Sequence, residues 1–345
     1  MKTDPRQAHL AREFAHDAPL INCRFDPSGQ YVFATGEDRS VIRWRVDSES
    51  GEKLVFPKAH DSWVRGIAFS KDGQTVITAG YDDTLIWWPA TVGSPQPIRK
   101  VKAHEGWIRT ISVSPDGSLL ASGGNDRIVK LWKTADGSPV RQLEGHERDV
   151  YSTFFHPDGQ WLLSGDLKGK IHQWEIGTGK QVRTFDGKAL NTYNGGQQVD
   201  YGGVRGIDLS GDGKHLACAG LHKATNPLGA ISQPLFLRFE WETQKLIRSH
   251  VAEGVEGIGW QAIFHPEGYL IGCAGGKSGA FLLFWNAEED KAFHKFKLPG
   301  TARECDLHPD GMRVATAHYE KKLTISKLAA KEEKKESKPA EVAAG

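Results

Sequence analysis

Residues His104–Trp132 read HEGWIRTISVSPDGSLLASGGNDRIVKLW. A β-rich run, Ile108 to Val113, ends in a tight turn at Pro115-Asp116-Gly117. A second run, Leu119 to Ser122, ends in another turn at Gly124-Asn125-Asp126, and a third closes on Trp132. Short apolar runs punctuated by Gly, Asp and Pro are hairpin chemistry, because these residues supply the backbone angles that tight turns demand. A fourth run, Val140 to Leu143, completes a unit of four strands, lettered a to d.

The unit recurs along the chain. Matching turns stand at Asp26-Pro27-Ser28-Gly29, Lys71-Asp72-Gly73, Pro157-Asp158-Gly159, Gly211-Asp212-Gly213, Pro266-Glu267-Gly268 and Pro309-Asp310-Gly311. With Pro27, Lys71, Pro115, Pro157, Gly211, Pro266 and Pro309 as anchors, the spacings are 44, 44, 42, 54, 55 and 43 residues. A period of about 40–45 residues built from four short strands predicts a β-propeller blade. In the first four units a Trp follows the anchor by 17 residues (Trp44, Trp88, Trp132, Trp174), and a His precedes it by 11 (His16, His60, His104, His146).

One blade cannot bury both of its faces, but seven in a ring bury them against each other. The sequence therefore predicts an all-β, seven-bladed propeller over 9–328, with repeats at about 9–46, 47–90, 91–134, 135–176, 177–241, 242–287 and 288–328. The last repeat offers strands at Ala302 to Leu307, Arg313 to Ala317 and Lys322 to Lys327, then nothing strand-like. Its fourth strand is expected from the N-terminus, at 9–14, because Phe14-Ala15-His16-Asp17 matches Leu143-Glu144-Gly145-His146 in position. Such a clasp removes an exposed sheet edge. Residues 1–8 are then a short extension. Residues 329–345, rich in Lys, Glu and Ala, bury no core and are expected to be disordered.

Composition narrows the function classes. The 345 residues carry a formal net charge of +1, so no global field draws the protein to nucleic acid or an anionic membrane. No run reaches the ~18 apolar residues of a membrane span. Met1 to Leu20 lacks the apolar core of a secretory signal, which predicts a cytoplasmic location. The four cysteines follow the repeat and are expected to be buried free thiols. No CxxC, HExxH or phosphate-binding Gly-rich loop is present, so neither cofactor nor metal is expected.

The Gly145-His146 pair, the His column and the Trp endings resemble the WD40-repeat family, over about Ala8 to Leu328 and most closely in the first four units. The openings from His60 to Trp63 are similar to repeats often met in bacteria. The resemblance implies a scaffold that binds partners. It also implies a buried hydrogen-bond tetrad in a blade, at His60, Thr78, Asp82 and Trp88 and again at His104, Ser122, Asp126 and Trp132. Blade one departs with Ala34 at the hydroxyl position, and blade four with Lys168 at the carboxylate position. In the last three blades Cys218, Cys273 and Thr316 hold the hydroxyl position. Ser, His and Asp together invite a hydrolase reading, but a set that recurs in each blade and is buried between strands is not one exposed catalytic site.

Two features exceed a bare scaffold. Six residues before the anchor stand Arg65, Arg109, Arg205 and Arg303, with Tyr151, Trp260 and Ile21 in the other blades. This position opens the innermost strand, so these residues should ring the channel mouth, with Trp63 and Trp107 two residues earlier adding aromatic surface. Arg and aromatics dominate binding hot spots; the alternative is a merely solvated ring. The second feature is a pair of insertions, Lys188 to about Gly203 and Leu221 to about Gln233, expected as long loops on that same face. The favoured ligand is an acidic or phosphorylated peptide of a protein partner, since guanidinium forks match carboxylate and phosphate. Two other classes stay open: an enzyme with a site under the blade-five insertion, and a binder of single-stranded nucleic acid that stacks bases on Trp63, Trp107 and Trp260.

Overall fold

A computed structural model describes residues 2–226, 231–276, 279–286 and 288–331. Most of the expected disordered tail, 332–345, lies outside the described residues. Seven four-stranded antiparallel sheets make the ring, each meandering outward from strand a to strand d. The inner strands are Leu20–Phe25, Val64–Phe69, Ile108–Val113, Val150–Phe155, Gly206–Leu209, Ile258–Phe264 and Ala302–Leu307. The seventh sheet is completed by the chain's first strand, His9–Ala15, paired antiparallel to Lys322–Lys327 from His9↔Lys327 to Ala15↔Lys322. The preceding residues are also fastened: Thr3 bonds the Glu267 carboxylate through N–H (2.9 Å) and hydroxyl (2.7 Å), and Asp4 N–H reaches Leu328 O (2.8 Å).

The apolar core is divided into seven clusters, and each straddles a seam between two blades. Leu85, Trp87 and Ala79 of blade two pack with Ile108, Leu120 and Trp132 of blade three. Phe14, Leu323 and Ile325 of the closing blade pack with Leu20, Ile42 and Trp44 of blade one. In the seam between blades five and six the Phe236 and Trp285 rings lie 5.1 Å apart.

In blades two, three and four the buried polar networks are closed. His60 meets Asp82 at 3.0 Å through Nδ1 and Thr78 Oγ1 at 2.8 Å through Nε2, and Trp88 Nε1–H donates to Thr78 Oγ1 at 2.9 Å. Blade three repeats this with His104, Asp126, Ser122 and Trp132 at 2.9, 2.7 and 2.8 Å. Burial alone would raise the Asp126 carboxyl, but the bond and charge of His104 and two backbone N–H donors outweigh it and hold the group at about 2. Gly80 has no space for a Cβ, which would strike Asp82 and His60.

Blade four corrects the sequence reading. Its network is complete, with Asp166 rather than the Lys168 position as acid: His146 meets Asp166 at 3.0 Å and Ser164 at 2.6 Å, and Trp174 donates to Ser164 at 2.7 Å. Asp166 stands two residues earlier, at the position Gly80 holds in blade two, where a Cβ would point at the His60–Asp82 pair. Lys168 points outward to Glu147. In blade one, where Ala34 has no hydroxyl, Ser40 takes over and meets His16 at 3.0 Å.

Two predictions follow from closure and from the networks. Deleting residues 1–15 should expose the outer edge of Lys322–Lys327 and cause aggregation or a large fall in melting temperature, whereas deleting 332–345 should change little. Matching melting curves for the two truncations would refute the clasp's role. Asp126→Ala and Asp166→Ala should each cost about 1–3 kcal/mol by stranding a buried histidine. Lys168→Ala should be close to neutral, and denaturant midpoints order the three variants.

Candidate functional site

Inner strands a and b slip register at the same place in six blades. The irregularity falls between Leu20 and Asn22, Val64 and Gly66, Ile108 and Thr110, Val150 and Ser152, Gly259 and Gln261, and Ala302 and Glu304. The unpaired residue of each bulge is Ile21, Arg65, Arg109, Tyr151, Trp260 or Arg303. A bulge re-aims its extra side chain out of the strand's ordinary alternation. In blade five Arg205 sits just before strand a, its N–H bonded to Ala219 O at 2.8 Å.

A second backbone device fixes the neighbours. The residue opening the b–c turn donates its N–H to the loop entering strand a: Tyr81 to Trp63 O (2.8 Å), Asn125 to Trp107 O (3.0 Å), Leu167 to Asp149 O (3.0 Å) and Tyr319 to Thr301 O (3.0 Å). The d–a loops and b–c turns are thereby clamped into one face around the channel.

On that face the arginines are engaged, not merely solvated. Arg109 lies over Tyr151 at 4.3 Å and Trp107 at 5.4 Å, and its Nε donates to Asn125 Oδ1 at 2.6 Å. Arg65 donates to Ile21 O at 3.0 Å, pairs with Glu304 at 3.5 Å and lies 5.6 Å from the Trp260 ring of blade six. Arg205 lies over Tyr151 at 4.0 Å. It forms no ion pair among the described residues, and its Nε has no hydrogen-bond partner. Desolvation lowers its pKa, and the charges of Arg109 and Arg65 add to that, against Tyr151. Arg303 is drawn aside, bonded to Glu37 at 2.6 Å and stacked on Tyr319 at 4.6 Å. The sequence set is thus brought together at Arg65, Arg109, Arg205, Tyr151 and Trp260, while Arg303 serves the seam between blades seven and one.

The aromatic surface is larger than the sequence reading. Trp63 and Trp107 are 44% and 46% exposed. Between them lies Tyr81, its ring 4.5 Å from Trp107 at an interplanar angle of 3° and 6.3 Å from Trp63. Tyr81 was legible in principle: it stands ten residues after its anchor, as Glu37, Asn125 and Tyr319 do, and all four serve the arginine position.

The two insertions are strands, not the loops expected. Asn191–Asn194 and Val199–Gly202 pair as a separate hairpin after a 3-10 turn at Lys188–Leu190. In blade five, strands b and c are lengthened to His215–Asn226 and Ile231–Glu240. Insertions of this length pair their own backbone groups because a bare loop leaves them unsatisfied. Leu190 plugs the seam core, Asn191 donates to Leu167 O at 3.0 Å, and Ala224 N–H meets Thr192 Oγ1 at 3.4 Å, so the hairpins lean on each other beside Arg205.

Below the mouth the channel is a cavity of about 580 Å³. Three residues before the anchor, one layer of its wall carries Arg24, Ser112, Asp208 and Asp306. Asp208 accepts Phe264 N–H and Asp306 accepts Phe25 N–H at 2.6 and 2.8 Å, each tying its blade to the next. Both face the lumen but are otherwise enclosed by protein. Burial raises Asp208 to about 7 and Asp306 to about 6, the latter against the nearby Arg24. The described residues contain no group of three or more His, Cys, Asp or Glu placed to hold a metal ion. The four cysteines are free and buried.

Asp208 gives stability a pH dependence of defined sign. Its folded pKa is the higher, so between 3.8 and about 7 the folded chain holds more protons than the unfolded chain. Stability then falls as pH rises through that window. Asp208→Asn should flatten the loss of melting temperature between about pH 4 and about pH 7. A slope unchanged from wild type would show that the carboxyl titrates normally.

The family description "WD domain, G-beta repeat" matches residues 9–45, 51–89, 95–133 and 137–175. These are the four units with the His and Trp columns, the first of them starting on the clasp strand. A search of curated proteins finds no match. No helix among the described residues is long and apolar enough to cross a membrane. WD40 propellers are generally protein-interaction scaffolds and typically non-enzymatic. Four repeats match that description and three further blades are built to the same four-stranded plan, so this chain is a seven-bladed β-propeller that carries WD40 repeats in its first four blades.

Proposed function

We propose that this propeller is an interaction platform that holds an acidic or phosphorylated peptide of a partner protein across the arginine-lined mouth. The observation that carries the reading is Arg205, a partly buried guanidinium without a carboxylate partner among the described residues. Arg109 lies over the same Tyr151 ring. Keeping two cations close together in a partly desolvated site is costly unless an anion joins them. Guanidinium forks offer that anion bidentate bonds. Trp63, Tyr81 and Trp107 supply adjoining rigid aromatic area of the kind that anchors hot spots. The paired hairpins beside Arg205 make one wall of the groove, with Tyr193 and Ile231 exposed on them.

A second reading, single-stranded nucleic acid, draws on the stacked Tyr81 and Trp107 rings, which offer a platform for bases. Its mark is a steep fall in affinity with salt.

The test is affinity capture with the full chain, followed by interferometry on the captured partner. Arg109→Ala with Arg205→Ala should weaken binding by at least about tenfold. Melting temperature should fall only modestly, since cation–π contacts are worth about 0.5–2 kcal/mol each. Reversing charge at Lys71 and Asp72, in the a–b turn of the opposite face, should leave binding intact. The converse pattern would place the functional face on the wrong side.

A further inference from the structure

We propose that the channel beneath the arginine rim is a binding site for a small phosphorylated polyol, the chemistry of a sugar phosphate, which enters hydroxyls first and leaves its phosphate on Arg109 and Arg205. The cavity, about 580 Å³, falls within the range of about 300–1,000 Å³ typical of small-molecule sites. Its wall is graded along the axis. At the rim lie the guanidiniums. Below them Thr110 and Thr153 hydroxyls meet at 3.1 Å, and Ser112 donates to Thr153 at 3.0 Å. Thr153 N–H also donates to Thr110 Oγ1 at 3.1 Å, so of the three hydroxyls it is Ser112, which only donates, that keeps its acceptor capacity. Asp208 lies three residues along its strand from Arg205, a span of about 10 Å.

The direction of this gradient discriminates between ligands. A phosphorylated side chain enters phosphate first. Its charge is caught first by Arg109 and Arg205 at the rim, and the one deeper guanidinium, Arg24, already lies between Glu304 and Asp306 at 3.8 Å, so the cavity below stays unfilled. A free polyol phosphate reverses the order. Its hydroxyls donate to Asp208 and to the Ser112 oxygen, while its dianion stays at the rim. Phosphate suits the rim better than a single carboxylate because Arg109, Arg205 and Arg65 act on one another there, with Asp149 and Glu304 at 3.5 Å as the carboxylates that partner Arg109 and Arg65. This inference goes beyond peptide binding, and it implies competition, since both ligands use the same two arginines.

The experiment is titration calorimetry on the full chain with glucose 6-phosphate, ribose 5-phosphate, glycerol 3-phosphate, the parent alcohols and inorganic phosphate. At least one sugar phosphate should bind about tenfold or more tightly than both inorganic phosphate and its own alcohol, the increment of one or two added hydrogen bonds. Arg205→Ala should abolish that binding. Ser112→Ala should remove the advantage over inorganic phosphate while inorganic phosphate itself binds as before. If every phosphate ester binds no better than inorganic phosphate, or none binds, the channel holds no such ligand. Sugar phosphate binding that survives Arg205→Ala would place the site elsewhere. Peptide binding at the rim is read separately, so its loss and the loss of this inference are distinct results.

Discussion

Each apolar core in this ring belongs to two blades at once. Trp132 of blade three is buried by residues of blade two, and Trp174 of blade four by residues of blade three. No blade has a face it can close by itself, so the ring is the smallest unit that removes its apolar surface from water. The hydrogen-bond tetrads work inside this constraint. They lock the b–c turn of a blade to the loop that enters its strand a. Packing holds the blades together, and the polar networks hold each blade in the shape that packing requires.

The binding face inherits its geometry from the same arrangement. A bulge at one point of the inner strand turns Arg65 and Arg109 out of the alternation that would bury them. The clamp between the b–c turn and the d–a loop then sets Tyr81 against Trp63 and Trp107. Because these devices repeat by blade, they bring side chains distant in sequence to one rim. Arg65 and Trp260, from blades two and six, lie 5.6 Å apart. Below the rim the next layer is mixed, with Asp208 and Asp306 beside Arg24 and Ser112. That these residues share one layer is fixed by the strand register.

The sequence made the blade count, the clasp and the tetrads of blades two and three legible, because each depends on one column of a strict register. Where the register loosened, legibility failed in identifiable ways. The acid of blade four moved two residues back, from the b–c turn to Asp166 at the end of strand b, and so left the column. The insertions were legible as extra length, but not as strands, because their pairing depends on partners such as Leu167 and Thr192 supplied by other segments. The arginine position was legible as a ring. That Arg303 would turn to Glu37 and Arg65 to Glu304 was not, since both acids come from other blades.

The clasp orders events in time as well as space. His9–Ala15 leaves the ribosome before any of the seven inner strands, and its partner, Lys322–Lys327, after all of them. Domains tend to form as they emerge during synthesis, but here the clasp strand must wait, unpaired, for nearly the whole propeller. The entropy of closing so long a loop is a modest cost, since it grows only with the logarithm of length. The delay itself is unavoidable. An interrupted translation product therefore cannot close its ring, however many complete blades it carries, and its open edges mark it as unfinished. Ring closure thus serves as a check that all seven blades have been made.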